Sequence, residues 1–310
     1  MRAKKSFVAK RSLGQNFLRD KGILKKIADF AQIGKEDTVV EVGPGEGSLT
    51  ELLLERAEKV IAIEKDEHLA ELLRENFKFQ ISNDKLKIIC GDALKLPDEF
   101  FSIFFKEKSA KREKNSSGSE DYILVGNIPY YITGALFKKF LEAENQPKSI
   151  TFVVQKEVAN RIMGSHFAKA SRDKKESILS ISIKAYGEPQ YGGIIKAGSF
   201  NPKPKVDSAI IAVRNISKKR FEEITPLAPL TLRGEEKKQW AETKFFEILK
   251  KGFAHKRKLL IKNLMSKGVF EMPQSQKTPF DIFDTCGIPE KARAEDLTVD
   301  NWICLAKNLL

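Results

Sequence analysis

The sequence lacks long hydrophobic runs, and it is poor in cysteine, histidine and tryptophan. Its 310 residues include three cysteines, three histidines and two tryptophans. No stretch approaches the roughly 20 consecutive apolar residues that a membrane-spanning helix needs. The basic first residues are not followed by an apolar signal segment. We therefore expect a cytoplasmic protein.

The scarcity of cysteine also bears on metal and redox chemistry. Cys90, Cys286 and Cys304 lie far apart and show no paired spacing of the kind that binds zinc. We expect three reduced thiols, no disulfide framework and no bound metal.

Basic residues, by contrast, are in excess. Lys and Arg number 55 against 42 Asp and Glu, which gives a net charge of +13. A balance of this size favours a polyanionic partner, either nucleic acid or an anionic membrane surface. A solvated Lys-rich surface is the simpler alternative. Charge alone does not separate these readings.

Strand and helix patterns alternate through the first two thirds of the chain. The alternation predicts a Rossmann-like α/β domain, with a mostly parallel central sheet and helices on both faces. The predicted strands are 38–42, 60–63, 86–90, 122–125, 149–154, 177–185 and 208–213, and the predicted helices are 49–56, 67–77 and 156–163.

Helix signals take over after residue 215 and predict a second, smaller domain. Candidate helices cover 240–252, 253–265, 279–286 and 299–309. We predict an α/β domain over residues 1–217 and a small all-helical domain over 218–310. The first includes a basic tail, 1–12, and a surface insert of about 105–121 that is rich in charge, Ser and Gly.

A glycine-rich turn, 41–47, lies directly after the first of these strands. Small residues there let the backbone approach a nucleotide-like ligand, and the following helix supplies free N–H groups. A dinucleotide fingerprint that began at Gly43 would need Gly or Ala at Ser48, so the spacing argues against NAD. Gly43 is our main candidate here, with Glu41 and Gly45 as weaker ones.

Acidic residues end the next two strands. Glu64 is placed to accept both hydroxyls of a ribose, as a carboxylate at a strand end does for NAD and S-adenosylmethionine alike. Asp92, followed by Ala93, lies where the exocyclic amine of a bound adenine would lie. An exposed loop acid is the alternative for Glu64. Together with the glycine turn, these residues favour S-adenosylmethionine as the ligand.

The fourth strand ends in the most specific segment, 125–131 (VGNIPYY). An amide oxygen of Asn127 and a carbonyl freed by the turn at Pro129 can accept both N–H bonds of an adenine amine, while Tyr130 offers a face for the base to stack on. Such bonds would hold the nitrogen for in-line attack on a donor methyl group. A purely structural Asn-Pro turn is the alternative.

At this point the chain resembles the ribosomal RNA small-subunit adenine dimethyltransferases of bacterial type, over nearly its full length. The segments that carry the resemblance are 12–18 (SLGQNFL), 41–47 (EVGPGEG), 91–94 (GDAL), 127–130 (NIPY), 154–159 (VQKEVA), 199–208 (SFNPKPKVDS) and 255–259 (HKRKL).

The resemblance implies a methyl donor, a substrate and particular residues. It implies dimethylation of the N6 amines of two adjacent adenosines, in a hairpin near the 3′ end of small-subunit (16S) RNA, and a role in small-subunit biogenesis. It makes Phe200 a second aromatic wall opposite Tyr130. The residues it implies for binding S-adenosylmethionine are Asn16, Leu18, Gly43, Glu64, Asp92 and Asn127, with Gln15 in the segment that closes over the donor.

Basic residues near two of these segments are candidates for holding RNA. Lys256, Arg257 and Lys258 are predicted on a helix with one buried and one basic face, and Lys203 and Lys205 flank Phe200. A solvated basic face is the alternative. We expect a monomer that acts on ribosomal RNA within the immature small subunit and has no membrane partner.

Three other functions remain open on the sequence. The protein could be chiefly a small-subunit assembly binder with methylation secondary, or a DNA adenine methyltransferase that shares the same chemistry. An NAD-dependent oxidoreductase is disfavoured by Ser48.

Overall fold

The computed structural model describes residues 14–97, 100, 122–164, 175–269 and 278–310. The predicted tail 1–12 and insert 105–121 lie outside these residues. The strands of the described residues are β1 (Phe17–Leu18), β2 (Thr38–Val42), β3 (Lys59–Glu64), β4 (Leu86–Cys90), β5 (Tyr122–Asn127), β6 (Ser149–Gln155), β7 (Glu188–Ile195), β8 (Phe200–Asn201) and β9 (Ser208–Arg214).

Helices separate most of these strands and make up most of the last third of the chain. In the described residues they are α1 (Lys21–Phe30), α2 (Ser48–Arg56), α3 (Glu67–Asn76), α4 (Lys78–Ser82), α5 (Thr133–Glu142), α6 (Lys156–Met163), α7 (Ile178–Tyr186), α8 (Lys219–Glu222), α9 (Gly234–Gly252), α10 (Leu260–Ser266), α11 (Pro279–Thr285) and α12 (Val299–Leu309). None of the described helices is long and apolar enough to cross a membrane.

Seven strands form one sheet in the order β4-β3-β2-β5-β6-β9-β7, and β1 pairs with β8 in a separate two-stranded sheet. The pairs from β4 through β6 are parallel, whereas β9 runs antiparallel to both of its neighbours. The predicted mostly parallel sheet is confirmed. The five strands between the two edges, β3, β2, β5, β6 and β9, are buried along nearly their whole length, as the β-branched strand β2 (TVVEV) shows.

The chain order of the strands creates a switch point beside β2. From β2 the chain proceeds through β3 to β4 on one side, and then returns to place β5 on the other. Ligands bind outside the carboxyl ends of parallel strands at such a point. The loops that leave β2, β3, β4 and β5 therefore meet at one edge of the sheet.

The prediction of a strand over 177–185 is wrong. This segment forms helix α7, which begins at a capping box: the Ser177 side chain accepts a hydrogen bond from the Ser180 N–H, and the Ser180 side chain accepts one from the Ser177 N–H. Two backbone donors are satisfied at once, so a local cap and packing override the β propensity of isoleucine. The strand of this region is the next element, β7.

The chain divides into two compact units, one comprising 1–159 with 188–216 and the other 160–187 with 217–310. The first contains the seven-stranded sheet, and the second is helical. The segment 160–187 thus groups with the helical unit, whereas the sequence suggested one change of domain near residue 217.

The predicted helix 253–265 is shorter in the structure, where α10 begins at Leu260. The buried side chain of Asn263 donates to the carbonyl groups of Gly252 and His255, at 2.7 and 3.1 Å. The first bond satisfies a carbonyl that α9 leaves free at its end, and the second holds the turn that follows the helix. Lys256, Arg257 and Lys258 are therefore exposed in that turn and not on a helix.

The expectation of three reduced thiols is also wrong. Cys286 and Cys304 form a disulfide, and Cys90 is free and exposed. The Cα atoms of the pair are 5.6 Å apart, because Cys286 directly follows α11 and α12 packs beside that helix. A separation of 18 residues gave no sign of this, since it depends on how the two helices pack.

Candidate functional site

A cleft opens at the edge of the sheet where the loops after β2, β3, β4 and β5 meet. Its empty volume, which includes space open to the solvent, is about 1080 Å³. All ten predicted donor-binding residues line it: Gln15, Asn16, Leu18, Glu41, Gly43, Gly45, Glu64, Asp92, Ala93 and Asn127. Pro129 and Tyr130 line it as well.

The glycine turn places backbone close to this cleft. Gly43 has a φ of 70°, in the left-handed region that favours glycine. A Cβ there would come within 3.7 Å of the Asn127 carbonyl oxygen, so the loops after β2 and β5 are in near contact. The Gly43 N–H donates to the Ile63 carbonyl at 3.0 Å, which ties the turn to β3 as well.

Glu64 is the last residue of β3, and each of its two carboxylate oxygens accepts a backbone hydrogen bond. It is 6% exposed, and its oxygens accept hydrogen bonds from the Gly45 N–H at 3.0 Å and the Asp66 N–H at 2.9 Å. Burial raises the pKa of Glu64, while these backbone donors act in the opposite direction. The side chain is thus fixed in the cleft with acceptor capacity for a ligand hydroxyl.

Asp92 lies beyond β4 and is paired with a lysine that the sequence did not single out. Its carboxylate accepts a hydrogen bond from the Leu94 N–H at 3.0 Å, and Lys65 Nζ lies 2.9 Å from Oδ2. Partial burial acts to raise the pKa of Asp92, but the bonds from Lys65 and Leu94 outweigh it and leave the pKa below its usual value. Asp92 is therefore an ionised acceptor at the cleft.

Glu41 is the most buried acid of the cleft. It is 1% exposed near the carboxyl end of β2, and the Thr50 hydroxyl donates to it at 2.6 Å. Burial raises its pKa to about 8, the Thr50 bond lowers it, and the nearby charge of Glu64 raises it further. Glu41 is accordingly a protonated group at neutral pH.

Asn127 joins the fourth-strand segment to the segment near the start of the chain. Its Nδ2 donates to the Asn16 carbonyl at 3.0 Å. Gln15 in turn donates to Asp66 at 3.2 Å, and the Asn16 side chain donates to the Gly14 carbonyl. These bonds bring residues more than 100 positions apart to one wall of the cleft.

The two aromatic residues predicted to enclose the base differ in position. Tyr130 follows Pro129 in a short 3-10 turn, is half-buried, and shares a 2.7 Å hydrogen bond with the Ser208 hydroxyl. Phe200 is 4% exposed and pairs with Leu18 across β1 and β8, within the hydrophobic core. In this structure Phe200 packs in the core and does not line the cleft.

The predicted RNA-binding lysines are exposed. Lys203 and Lys205 lie in the loop between β8 and β9, and the basic residues 256–258 lie in the turn before α10. The first group belongs to the sheet unit and the second to the helical unit.

Sequence reasoning missed the residues that hold the predicted ones in place. Thr50 fixes Glu41, Lys65 pairs with Asp92, and Ser208 holds the Tyr130 hydroxyl. Lys65 follows Glu64 directly, and Ser208 ends the segment 199–208, so both lay next to recognised motifs. Thr50 gave no signal, because its role depends on which face of α2 packs on β2.

Known proteins resemble this chain over almost its whole length. It matches the model of the ribosomal RNA adenine dimethylase family over residues 6–309. It is 34% identical over 300 residues to ribosomal RNA small subunit methyltransferase A of Dehalococcoides mccartyi (strain CBDB1), which covers 96% of this chain and 88% of that protein. The protein of the same name from Bacillus mycoides (strain KBAB4) is 35% identical over 308 residues, 99% of this chain and 93% of its own length.

Solved structures with the same fold include two enzymes that act on adenine or on ribosomal RNA by name. The 23S rRNA methyltransferase ErmE superposes with a TM-score of 0.65 and 26% identity, over 95% of this chain and 99% of its own. A dimethyladenosine transferase from Plasmodium falciparum gives a TM-score of 0.65 at 24% identity, over 93% and 95%. The geometry of the cleft and the match across the chain agree: this protein belongs to the ribosomal RNA adenine dimethylase family.

Proposed function

We propose that the protein transfers methyl groups from S-adenosylmethionine to the N6 amines of two adjacent adenosines in small-subunit ribosomal RNA. The observation that carries the proposal is the meeting of Asn127, at the end of β5, with Glu64 and Asp92, at the ends of β3 and β4, in one cleft. The Asn127 amide suits the amine of the substrate adenine. The carboxylates of Glu64 and Asp92 suit the ribose and the adenine of the donor. The names of the curated relatives support the small subunit as the source of the RNA.

The donor half of the cleft fits S-adenosylmethionine through its own donor and acceptor groups. Glu64 would accept the ribose hydroxyls, Asp92 would accept the adenine amine, and Gly43 would let the backbone lie close to the ligand. Asn16 and Leu18 would border the methionine end, with Gln15, Glu41, Gly45 and Ala93 as supporting contacts. When bound, the donor supplies an electrophilic methyl group.

The acceptor half holds the amine that attacks this methyl group. Because Nδ2 of Asn127 donates to the Asn16 carbonyl, its Oδ1 is the atom left to accept an N–H of the adenine amine. The turn at Pro129 offers a backbone carbonyl for the second N–H, and the Tyr130 ring stacks on the base. These bonds draw the amine toward a tetrahedral geometry, and the proton leaves after the methyl group has been transferred.

Phe200 joins this site only if it leaves the core. The family resemblance gives it the opposite face of the adenine, and its exposed neighbours Lys203 and Lys205 would meet phosphates of the same RNA. The turn 256–258 would provide further phosphate contacts, so that the RNA is recognised by shape. The substrate in this proposal is the immature small subunit, and one copy of the chain suffices.

The test is methyl transfer to ribosomal particles that lack adenine dimethylation. Labelled S-adenosylmethionine is incubated with the protein and with small or large subunits, and the RNA is digested to nucleosides. We expect N6,N6-dimethyladenosine from small subunits alone, and about a hundredfold or greater loss in Asn127→Ala, which removes the amide that orients the amine.

Asn83→Ala is the matched control, because Asn83 is exposed and bonds only locally, to the Lys85 N–H. It should retain full transfer. Label in large-subunit RNA would move the proposal toward the activity that the name of ErmE describes. Undiminished transfer by Asn127→Ala would contradict the assigned site, whatever the substrate.

A further inference from the structure

An ion pair joins two segments that border the donor half of the cleft. Arg19 directly follows β1, and Glu46 lies in the glycine turn. Arg19 Nε donates to Glu46 Oε2 at 2.8 Å, and Nη2 donates to Oε1 at 2.6 Å. A guanidinium that makes two parallel bonds to one carboxylate is held in orientation as well as in distance.

The contacts beside this pair show what it holds together. Residues 14–18 and residues 43–46 both line the cleft. Between them the Phe17 ring lies on Gly45, where an added Cβ would come within 3.0 Å of the ring. The segment 14–19 therefore packs on the glycine turn through Phe17, and it is bound to the same turn two residues later by the ion pair of Arg19.

Other contacts also hold this segment. Its strand, β1, has two residues, which pair with β8. Gln15 donates to Asp66 at 3.2 Å, and the Asn16 carbonyl accepts from Asn127 at 3.0 Å. The backbone pairing is only two residues long, and the bidentate ion pair adds a further constraint on the position of the segment.

We propose that Arg19 and Glu46 are positioning residues that hold the segment 14–19 closed over the donor and so slow its departure. The identity of the ligand rests on the function proposed above. The closing contact itself does not, because it is present between two segments of the protein. Arg19 is 55% and Glu46 20% exposed in their side chains, so salt should weaken the contact.

A double-mutant cycle tests the pair. The dissociation rate of S-adenosylmethionine is measured for the wild type, Arg19→Gln, Glu46→Gln and the double variant, at low and high salt. We expect each single variant to release the donor about threefold faster at low salt, the size typical of an exposed ion pair, and the double variant to be no faster than either. High salt should bring the wild type to the rate of the variants.

Arg56→Gln is the control, because it breaks an ion pair of 2.7 Å with Asp29 in the same unit, outside the cleft. It should leave the rate unchanged. Amide hydrogen exchange at residues 16–18 of the ligand-free protein gives a second readout, and it should be faster in Arg19→Gln. Equal exchange and equal release in wild type and Arg19→Gln would overturn the inference. Failure of the wild type to bind the donor would instead count against the proposed function, and the exchange comparison would still decide the role of the pair.

Discussion

Glu41 is an acid enclosed in an otherwise apolar strand, and its protonation should be visible in the stability of the protein. Burial raises the pKa of Glu41 to about 8, whereas the same carboxyl in the unfolded chain has its ordinary pKa of 4.5. Between these two pH values the folded protein keeps a proton that the unfolded chain releases. The contribution of Glu41 to the free energy of unfolding is therefore largest at low pH. It is lost as the pH rises from about 4.5 through 8, at up to about 1.4 kcal/mol per pH unit.

The variant Glu41→Gln should remove this dependence. We expect its free energy of unfolding to fall less than that of the wild type between pH 5 and 8, as measured by denaturant titration at each pH. Glu51→Gln, an exposed acid in the first turn of α2, should keep the wild-type slope. Identical slopes for Glu41→Gln and the wild type would show that Glu41 is ionised in the fold.

The residues that touch the cleft could be predicted from the sequence where strand ends determine their position. Glu64, Asp92 and Asn127 each follow a run of apolar residues, and parallel strands bring their carboxyl ends to one edge. Phe200 shows the limit of this reasoning. The motif around Phe200 indicates the role that this residue has in the family. Its burial against Leu18 depends on the pairing of β1 with β8, for which the sequence carries no signal.

At the scale of elements, the site depends on how closely β5 approaches β2. A Cβ on Gly126 would lie 2.6 Å from the Val42 carbonyl oxygen and 2.9 Å from the Ile128 side chain. We expect Gly126→Ala to push the end of β5 outward, with about 1–3 kcal/mol lost in unfolding free energy. Methyl transfer should fall by a larger factor, because Asn127 moves with the strand.

Gly134→Ala is the matched control for this substitution. Gly134 lies in α5, and an added Cβ would meet nothing within 4 Å. Alanine favours a helix, so this variant should be about 0.5–1 kcal/mol more stable than the wild type and fully active. Thermal unfolding and the nucleoside assay separate the two effects. A Gly126→Ala protein with normal activity would show that β5 tolerates the shift.

The turn before α10 should contribute charge to RNA binding without contributing to the fold. Lys256, Arg257 and Lys258 are exposed there, and replacing all three with Gln should weaken binding to small-subunit RNA. The slope of log K against log[salt] should fall in magnitude by about 2, since each lost phosphate contact accounts for somewhat less than 1. Filter binding at several salt concentrations measures both.

Two lysines of α9 serve as the comparison for this variant. Lys238 and Lys244 pair with Glu235 and Glu247 on their own helix, at 2.6 and 2.8 Å. Replacing them with Gln should leave the salt slope nearly unchanged. If both variants reduce the slope by the same amount per charge, RNA responds to net charge and not to this turn.

Elements were predictable where periodicity and local chemistry agree, as in β2, α6 and α12. They were not predictable where tertiary contacts decide. The residues of β7 include Pro189, Gly192 and Gly193, which argue against a strand, yet an edge position tolerates proline and a bulge at Tyr191/Gly193 accommodates the glycines. In α7 the reverse happens: a capping box starts a helix in a segment that was predicted to be a strand.

At the scale of the whole molecule, the disulfide and the cleft belong to different units. Cys286 and Cys304 close a loop of 18 residues in the helical unit. Reduction should lower the unfolding free energy of that unit by about 3 kcal/mol, the chain-entropy value for a loop of this length. The affinity for S-adenosylmethionine should not change, because the residues that line the cleft all lie in the sheet unit.

Denaturant unfolding and donor titration, each with and without reductant, measure the two quantities. The double variant Cys286→Ser/Cys304→Ser should match the reduced wild type, and Cys90→Ser should respond to reductant as the wild type does. A fall in donor affinity on reduction would show that the units are energetically coupled.

The pairing of β1 with β8 has a consequence for the construction of chimaeras. Leu18 and Phe200 are each 4% exposed and face one another across this pairing, although 182 residues separate them in sequence. A graft of the loop 199–208 from a relative therefore brings a new partner for Leu18, and a graft of the segment 14–19 brings a new partner for Phe200. Chimaeras that are meant to exchange substrate specificity between relatives therefore have to transfer the segments 14–19 and 199–208 together.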